Sequence, residues 1–242
     1  MDHHRPQTPL TRAFDTPATK RRHVQRLFET IATRYDLITR LLSFGLDQRW
    51  KRRLFELSGI RSGWRVLDLA CGTGDLALGA ATRGASVVAL DLAGPMVALA
   101  RKKPGAGDIS WVVGDMTDLP VAGSTFDLVT TGYGLRNVPD LPRALMEIHR
   151  ALRPGGVFCS LDFNRPTWAP VRLVYLAWLA IIGATLGWLL HRDPDTYRYI
   201  PESIRRYPGA AAVTTMIRDA GFTEARDVRV LGGLMAIHIA RK

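Results

Sequence analysis

Cysteine, acidic residues and repeats are all scarce in this chain. Only Cys71 and Cys159 stand among 242 residues, which argues against a disulfide framework and fits a reducing cytosol. Neither has a neighbour at metal-ligand spacing, so no metal site is expected. Asp and Glu number 22 against 33 Lys and Arg, a net charge of +11. That balance suits nucleic acid or an anionic membrane surface as partner, or simply arginine-rich solvated helix faces. The basic residues gather in KRRHVQR, in RWKRR and at Arg205–Arg206. Internal repeats are absent. The first residues, MDHHRPQTPLTRAFDTPATKRR, lack the apolar core of a secretory signal and the amphipathic period of a transit peptide. Their Pro, Thr and Arg content predicts a flexible arm over 1–19, followed by one domain over 20–242.

What is present is an alternation. With 47% hydrophobic residues the chain can bury a sizeable core. From Lys20 to Phe55 the pattern is helical, with Val24, Leu27, Phe28 and Ile31 three and four apart. WRVLDLA, ASVVALDL, ISWVVGD, FDLVTTGYG and VFCSLDF read as strands, and helical stretches separate them. The last of these helices, LPRALMEIHRALRPGG, is expected to end at Gly155–Gly156. A helix, AAAVTTMIRDAGF, and two strand-like runs, EARDVRVL and LMAIHIAR, close the chain. This order predicts an α/β fold, a doubly wound sheet with helices on both faces and ligands at the carboxyl ends of its strands.

The unusual residues sit at those ends. LDLACGTGDLA puts Gly72 and Gly74 just after the first strand, where glycine permits a sharp turn and close approach of a ligand. Taken alone, Gly72 to Ala77 also satisfies the permissive G-x-G-x-x-A form of a dinucleotide site. Asp91, ending the second strand, suits ribose hydroxyls in either case. Asp68 inside the first strand and Asp115 after the third tilt the choice, because a pyrophosphate disfavours acids whereas a sulfonium and an ammonium favour them. With LRPGG before the fifth strand, the combination resembles the class I S-adenosylmethionine-dependent methyltransferases. That resemblance implies a Rossmann-like, seven-stranded, mostly parallel sheet.

Some branches of that class are excluded. TTGYGLRN lacks the D/N-P-P-Y/F signature of base N-methyltransferases, and no Pro-Cys nucleophile is present for base C5 chemistry. Cys159 lies inside a strand and reads as a small buried hydrophobe. Nucleic acid is therefore not the expected partner.

Three stretches resemble the ubiquinone/menaquinone biosynthesis C-methyltransferase family. YDLITRLLSFGLDQRW (Tyr35 to Trp50) is similar to Y-D-x-x-N-x-x-x-S-x-G-x-x-x-x-W, and GYGLRNVPD (Gly132 to Asp140) to F-G-L-R-N. DPDTYRYIPESIRRYPG resembles D-x-x-x-Y-x-Y-L-x-E-S-I. Departures are Thr39 for Asn, Asp47 for His, Gly132 for a serine, and Asp162 and Asn164 for Glu and Ser. The resemblance implies methylation of a ring carbon of a prenylated quinol, in menaquinone or ubiquinone biosynthesis, with S-adenosyl-L-methionine as cofactor and no metal. It implies a cofactor site at Asp68, Gly72, Thr73, Gly74, Asp91, Leu92, Asp115, Met116, Gly132 and Tyr35, over which Tyr35 and Asp36 close. Arg136 and Asn137 are the expected acceptor residues, Arg136 stabilising a phenolate and Asn137 binding a quinol oxygen. Arg136 reads equally as an ion-pair partner of Asp140 or Asp162, and Asn137 as a turn residue. His149 is expected at the surface. A methyltransferase for another apolar acceptor (a lipid or a polyketide) and a non-catalytic cofactor-binding scaffold are the rival functions.

LVYLAWLAIIGATLGWLL, Leu173 to Leu190 within an apolar insertion at 168–192, carries no charge. As a helix it is ~27 Å long, close to a bilayer core of ~30 Å. Gly183 and Gly187 form the G-x-x-x-G of membrane helix dimers. A single span, however, would part the last two strands from their sheet. The stretch is therefore expected to lie over the ligand edge or in the membrane surface, bent at Gly183 into two helices. Tyr175, Trp178 and Trp188 would serve as interfacial anchors, with Arg172, His191 and Arg192 near lipid phosphates. A buried helix or a homodimer face is the alternative. The implied location is cytoplasmic, held at the inner face of the membrane.

Overall fold

The computed structural model describes residues 13–43, 45–192 and 196–242. The first twelve residues of the expected arm, Phe44 in the first signature stretch and 193–195 in the third lie outside that range. The rest of the arm is short, because helix α1 (Pro17–Ile31) starts within it. Thr16 caps this helix in a reciprocal pair with Thr19, and Pro17 is preset for the first turn.

The continuous helical pattern of 20–55 resolves into three helices. After α1 come a short 3-10 turn, α2 (Tyr35–Leu42) and α3 (Asp47–Ser58). The break between α2 and α3 passes through Gly45 at φ +73°, a conformation that suits glycine. Helix α3 ends at Gly59, again left-handed.

Strands β1 (Arg65–Leu69), β2 (Ser86–Asp91), β3 (Ser110–Val113), β4 (Phe126–Gly132), β5 (Leu152–Phe163), β6 (Glu224–Val230) and β7 (Met235–Arg241) form one sheet. Its order is β3-β2-β1-β4-β5-β7-β6. All neighbours are parallel except β7, which runs antiparallel to both β5 and β6. Strands β1 and β4 are apolar and buried through most of their length because helices cover both faces. The covering helices include α4 (Asp75–Ala81), α5 (Gly94–Ala100), α6 (Leu141–Ala151) and α9 (Ala210–Asp219). The expected sheet and strand content are therefore present. Helix α6 stops at Ala151, earlier than expected, and Leu152 to Gly156 already belong to the β5 stretch.

Between β5 and α9 the chain inserts α7 (Ala169–His191) and α8 (Tyr199–Arg206). Helix α7 is continuous, so the bend expected at Gly183 does not occur. A Cβ there would sit 3.1 Å from the carbonyl oxygen of Tyr197, so the glycine serves close packing instead. Gly183 and Gly187 are both buried within the chain, which removes the G-x-x-x-G face from contact with another membrane helix. Tyr175, Leu176 and Leu179 are buried together with Ile31 and Ile38 of α1 and α2, forming a third core beyond the two that flank the sheet. That third core sits over the candidate site.

Candidate active site

The sheet order reverses between β1 and β4, and the crevice outside their carboxyl ends is where such folds bind ligands. The chain turns there through Ala70, Gly72 and Gly74, all at positive φ. At Gly74 the backbone lies so near Trp111 that an added Cβ would fall 2.5 Å from its ring. The turn is tied to its neighbours. The Gly72 N–H donates to Asp91 Oδ2 at 2.7 Å, and the Ala93 N–H donates to Asp91 Oδ1 at 2.8 Å. Leu92 lies half-buried between these partners.

Asp68 sits in register with Thr130 of β4 and accepts a 2.8 Å hydrogen bond from its hydroxyl. The other carboxylate oxygen, Oδ2, is buried with no hydrogen-bond partner among the described residues. Burial pushes this carboxyl up to about 7. Burial likewise raises Asp91, against the hydrogen bonds it accepts from Ala93 and Gly72. A cation near the turn would relieve both groups, so the donor set fits a cationic cofactor and not a pyrophosphate.

Basic residues close the outer side. Lys51 and Lys103 reach Asp75 at 2.7 and 3.0 Å. Burial alone would raise Asp75, but these two ammonium groups hold it near 2. Lys103 also pairs with Asp36 at 2.8 Å, and the Thr73 hydroxyl donates to the same carboxylate. Asp36 thus fastens the start of α2 to the glycine turn, and Tyr35 lies 3.6 Å from where a Cβ on Gly72 would be. Asp115 is further along the crevice beside buried Met116, with Arg21 Nε of α1 at 2.7 Å. Gly132 ends β4, where a Cβ would lie 3.0 Å from Leu76.

The segment after β4 builds the second half of the site. Arg136 and Asn137 lie in a 3-10 turn, both buried. Arg136 Nη1 donates to Asp162 Oδ1 at 2.6 Å and to the Tyr133 carbonyl at 3.0 Å, and its guanidinium covers the Phe163 ring at 4.8 Å. Its backbone N–H donates to Asp162 as well. Of the two carboxylates the sequence offered as partners, Asp162 is therefore the one used. Asp140 instead caps α6 by accepting from the Arg143 N–H. Burial would lower the Arg136 pKa, but Asp162 overrides it and keeps the guanidinium charged. Arg136 Nε has no hydrogen-bond partner among the described residues. Asn137 Nδ2 donates to the Tyr133 carbonyl at 2.8 Å, while its Oδ1 has no partner among the described residues. Lys20 of α1 donates to the Arg136 and Val138 carbonyls. This covers the turn, and burial followed by repulsion from Arg136 lowers the Lys20 pKa to about 8.

Arg136, Tyr35, Tyr133, Phe163, Tyr199, Ile38 and Phe28 are among the residues that line a mostly apolar pocket beneath α1, α2 and α8. Its free space is about 50 Å³. The site therefore has two adjoining parts, an acidic turn and an apolar chamber with one cationic wall. The chain belongs to the ubiE/COQ5 methyltransferase family. The sequence model of that family matches residues 16–242. The ubiquinone/menaquinone biosynthesis C-methyltransferase UbiE of Rubrivivax gelatinosus is 35% identical over 97% of this chain and 94% of that protein. A demethylmenaquinone methyltransferase of Thermus thermophilus is 41% identical over 88% of this chain and 98% of its own. The fold is that of class I methyltransferases. A solved methyltransferase of Aquifex aeolicus that depends on S-adenosylmethionine superposes with a TM-score of 0.62 at 17% identity, over 88% of this chain and 97% of that one. Like its family, this chain is a methyltransferase that uses S-adenosyl-L-methionine.

Of the residues expected at the site, Tyr35 and Arg136 line the chamber. Asp68, Gly72, Thr73, Gly74, Asp91 and Leu92 gather at the turn. Asn137 is buried beside Arg136 but is not among the chamber's lining residues. His149 packs edge-on to Phe222 at 5.1 Å, away from the crevice. Tyr133, Phe163 and Tyr199 were not singled out. Tyr133 carried a readable signal, since it stands at the phenylalanine of F-G-L-R-N. Phe163 and Tyr199 are brought in by β5 and α8, which only the tertiary fold places there.

Proposed function

We propose that this chain methylates a ring carbon of a prenylated quinol, either a demethylmenaquinol or the corresponding benzoquinol. One observation carries the reading. A buried, charged arginine whose Nε has no partner among the described residues forms the polar wall of an apolar chamber next to the glycine turn. When bound, S-adenosyl-L-methionine supplies an electrophilic methyl group on a sulfonium. Asp68 and Asp91 would favour its cationic end, and the glycine turn would let it approach the backbone closely.

The chain's task at the acceptor is to raise the nucleophilicity of a ring carbon. A quinol that loses a phenolic proton pushes electron density onto the carbon beside that oxygen. Arg136 stabilises the resulting oxyanion, and the apolar walls exclude water and strengthen that interaction. Arginine is too basic to be the proton acceptor itself. Asp162 orients Arg136 through two hydrogen bonds and balances its charge, so the guanidinium need not be buried unpaired. Asn137 Nδ2 holds the Tyr133 carbonyl that Arg136 also uses, and so helps to fix the turn that carries the arginine. A two-ring acceptor exceeds the chamber's free space, so side chains of α1, α2 or α8 move aside when it enters.

We also place the chain at the cytoplasmic side of a membrane; the outer face of α7 supports the membrane contact. Leu173, Val174, Ile181, Trp188 and Leu189 are all more than 60% exposed. They recur at helical spacing on the side opposite Tyr175, Leu176 and Leu179. A prenyl tail would remain in the lipid while the ring enters the chamber. The test of function is methyl transfer from labelled S-adenosylmethionine to chemically reduced demethylmenaquinone in liposomes, with the oxidised quinone and a reduced demethyl benzoquinone alongside. Label in the ring of a reduced quinone, and none in the oxidised one, is the expected result. Cofactor binding without label in either quinol would sink the reading.

A further inference from the structure

The chamber holds more hydrogen-bonding capacity than that chemistry uses. Tyr133 lines it and is only 7% exposed, with its ring 5.6 Å from that of Phe163. Its hydroxyl is buried and has no partner among the described residues. Buried phenols ordinarily find one, since an unanswered hydroxyl costs its full desolvation. Phenylalanine, the residue of the F-G-L-R-N motif, would fill the same space without that cost.

The backbone sharpens the point. Tyr133 sits at φ +61°, which a bulky side chain adopts only when its surroundings compel it. They do so here. Its N–H donates to the Leu161 carbonyl at 2.6 Å, and its own carbonyl accepts from Arg136 and Asn137. The ring is therefore held in a fixed position beside the arginine. Burial pushes the phenol well above its ordinary range; Tyr35, Asp47 and Asp162 push the same way, and Arg136 opposes them. The hydroxyl stays protonated and can both donate and accept.

We propose that Tyr133 is a specificity-determining residue whose hydroxyl hydrogen-bonds the second ring oxygen of the acceptor, across the ring from the oxygen that Arg136 stabilises. This rests on the quinol reading given above. A hydroquinone has two oxygens on opposite sides of its ring. One becomes the phenolate and suits a cation. The other remains a neutral hydroxyl and suits a neutral group that can donate and accept. An acceptor lacking the second oxygen leaves the Tyr133 hydroxyl unpaired, and sites of this kind reject such analogues.

The test uses two acceptors with the same prenyl tail. One is the 1,4-naphthalenediol. The other is the naphthol that keeps the hydroxyl beside the methylated carbon and lacks the opposite one. With the diol, Tyr133→Phe should lower kcat/KM about five- to tenfold, mainly through KM, as loss of one neutral hydrogen bond predicts. With the naphthol, the variant should equal or exceed the wild type. The Tyr199 hydroxyl also has no partner among the described residues, and any loss in Tyr199→Phe should fall equally on both acceptors. A Tyr133→Phe enzyme that handles the diol normally, or loses equally on both, overturns the inference while wild-type turnover keeps the quinol reading. So does a loss confined to the diol in Tyr199→Phe. A wild type that methylates neither compound overturns the quinol reading and this inference with it.

Discussion

Asp68 shows how much one buried carboxyl can determine. In the unfolded chain it titrates near ~4, and in the folded protein burial moves it to about 7. Between those values the folded protein keeps a proton that the unfolded chain releases. Its contribution to stability is therefore complete below the unfolded value and is lost as pH rises through about 7. A cationic cofactor beside Oδ2 reverses the preference by stabilising the ionised form. Binding at pH 6 should then release about one proton per site, and affinity should rise between pH 6 and 8. Calorimetric titration of S-adenosylmethionine in buffers of different ionisation enthalpy reads the proton directly. Asp68→Asn should remove both the proton release and the pH dependence. Persistence of either in the variant would place the titrating group elsewhere.

At the scale of the element, the turn between β1 and α4 joins the two halves of the site. Gly74 is left-handed, and its missing side chain makes room for Trp111. Gly59 at the end of α3 is also left-handed, but a Cβ there would meet nothing within 4 Å. The pair separates backbone strain from crowding. Gly59→Ala should cost ~1 kcal/mol from conformation alone and leave methyl transfer intact. Gly74→Ala should cost that plus ~1–3 kcal/mol of overpacking and weaken cofactor binding, as denaturant melts and equilibrium titration would show. Equal losses in the two variants would contradict the crowding argument. The glycine turn was legible in the sequence because a tight turn after a buried strand demands glycine at fixed spacing. The strands were legible for a similar reason, since strands buried on both faces are short apolar runs. Helix ends inside 20–55 were not, because α1, α2 and α3 share one apolar period and the breaks between them are set by packing over the crevice. The Arg136–Asp162 pair was legible only as one of two options. Residue 162 reaches Arg136 through β5, which pairs with β4, and local sequence says nothing of that register.

The whole molecule is asymmetric. One side is a doubly wound sheet with an acidic crevice. The other is a roof of α1, α2, α7 and α8 whose inner surface is packed and whose outer surface on α7 is apolar. Helix α7 is long and apolar enough to cross a membrane by length and composition, yet its inner face is packed against α1, α2 and α8 of the same chain. Both of its ends also return to one sheet, through β5 before it and β6 after it. A roof that is apolar on both surfaces can pass a tail from lipid to chamber only if its outer surface rests in the lipid. Insertion of that face would be worth ~0.8 kcal/mol per buried methylene, whereas the surrounding arginines add a part that salt screens. Val174→Glu combined with Ile181→Glu changes only exposed positions, so the melting temperature should hold. Sedimentation with anionic vesicles should weaken at least tenfold. Methyl transfer should fall for quinol presented in vesicles and persist for a short-tailed quinol in solution. Unchanged sedimentation, or an equal loss with both quinols, would mean that α7 meets something other than lipid. If the double variant also turned a dimeric wild type into a monomer, that partner would be a second copy of the chain.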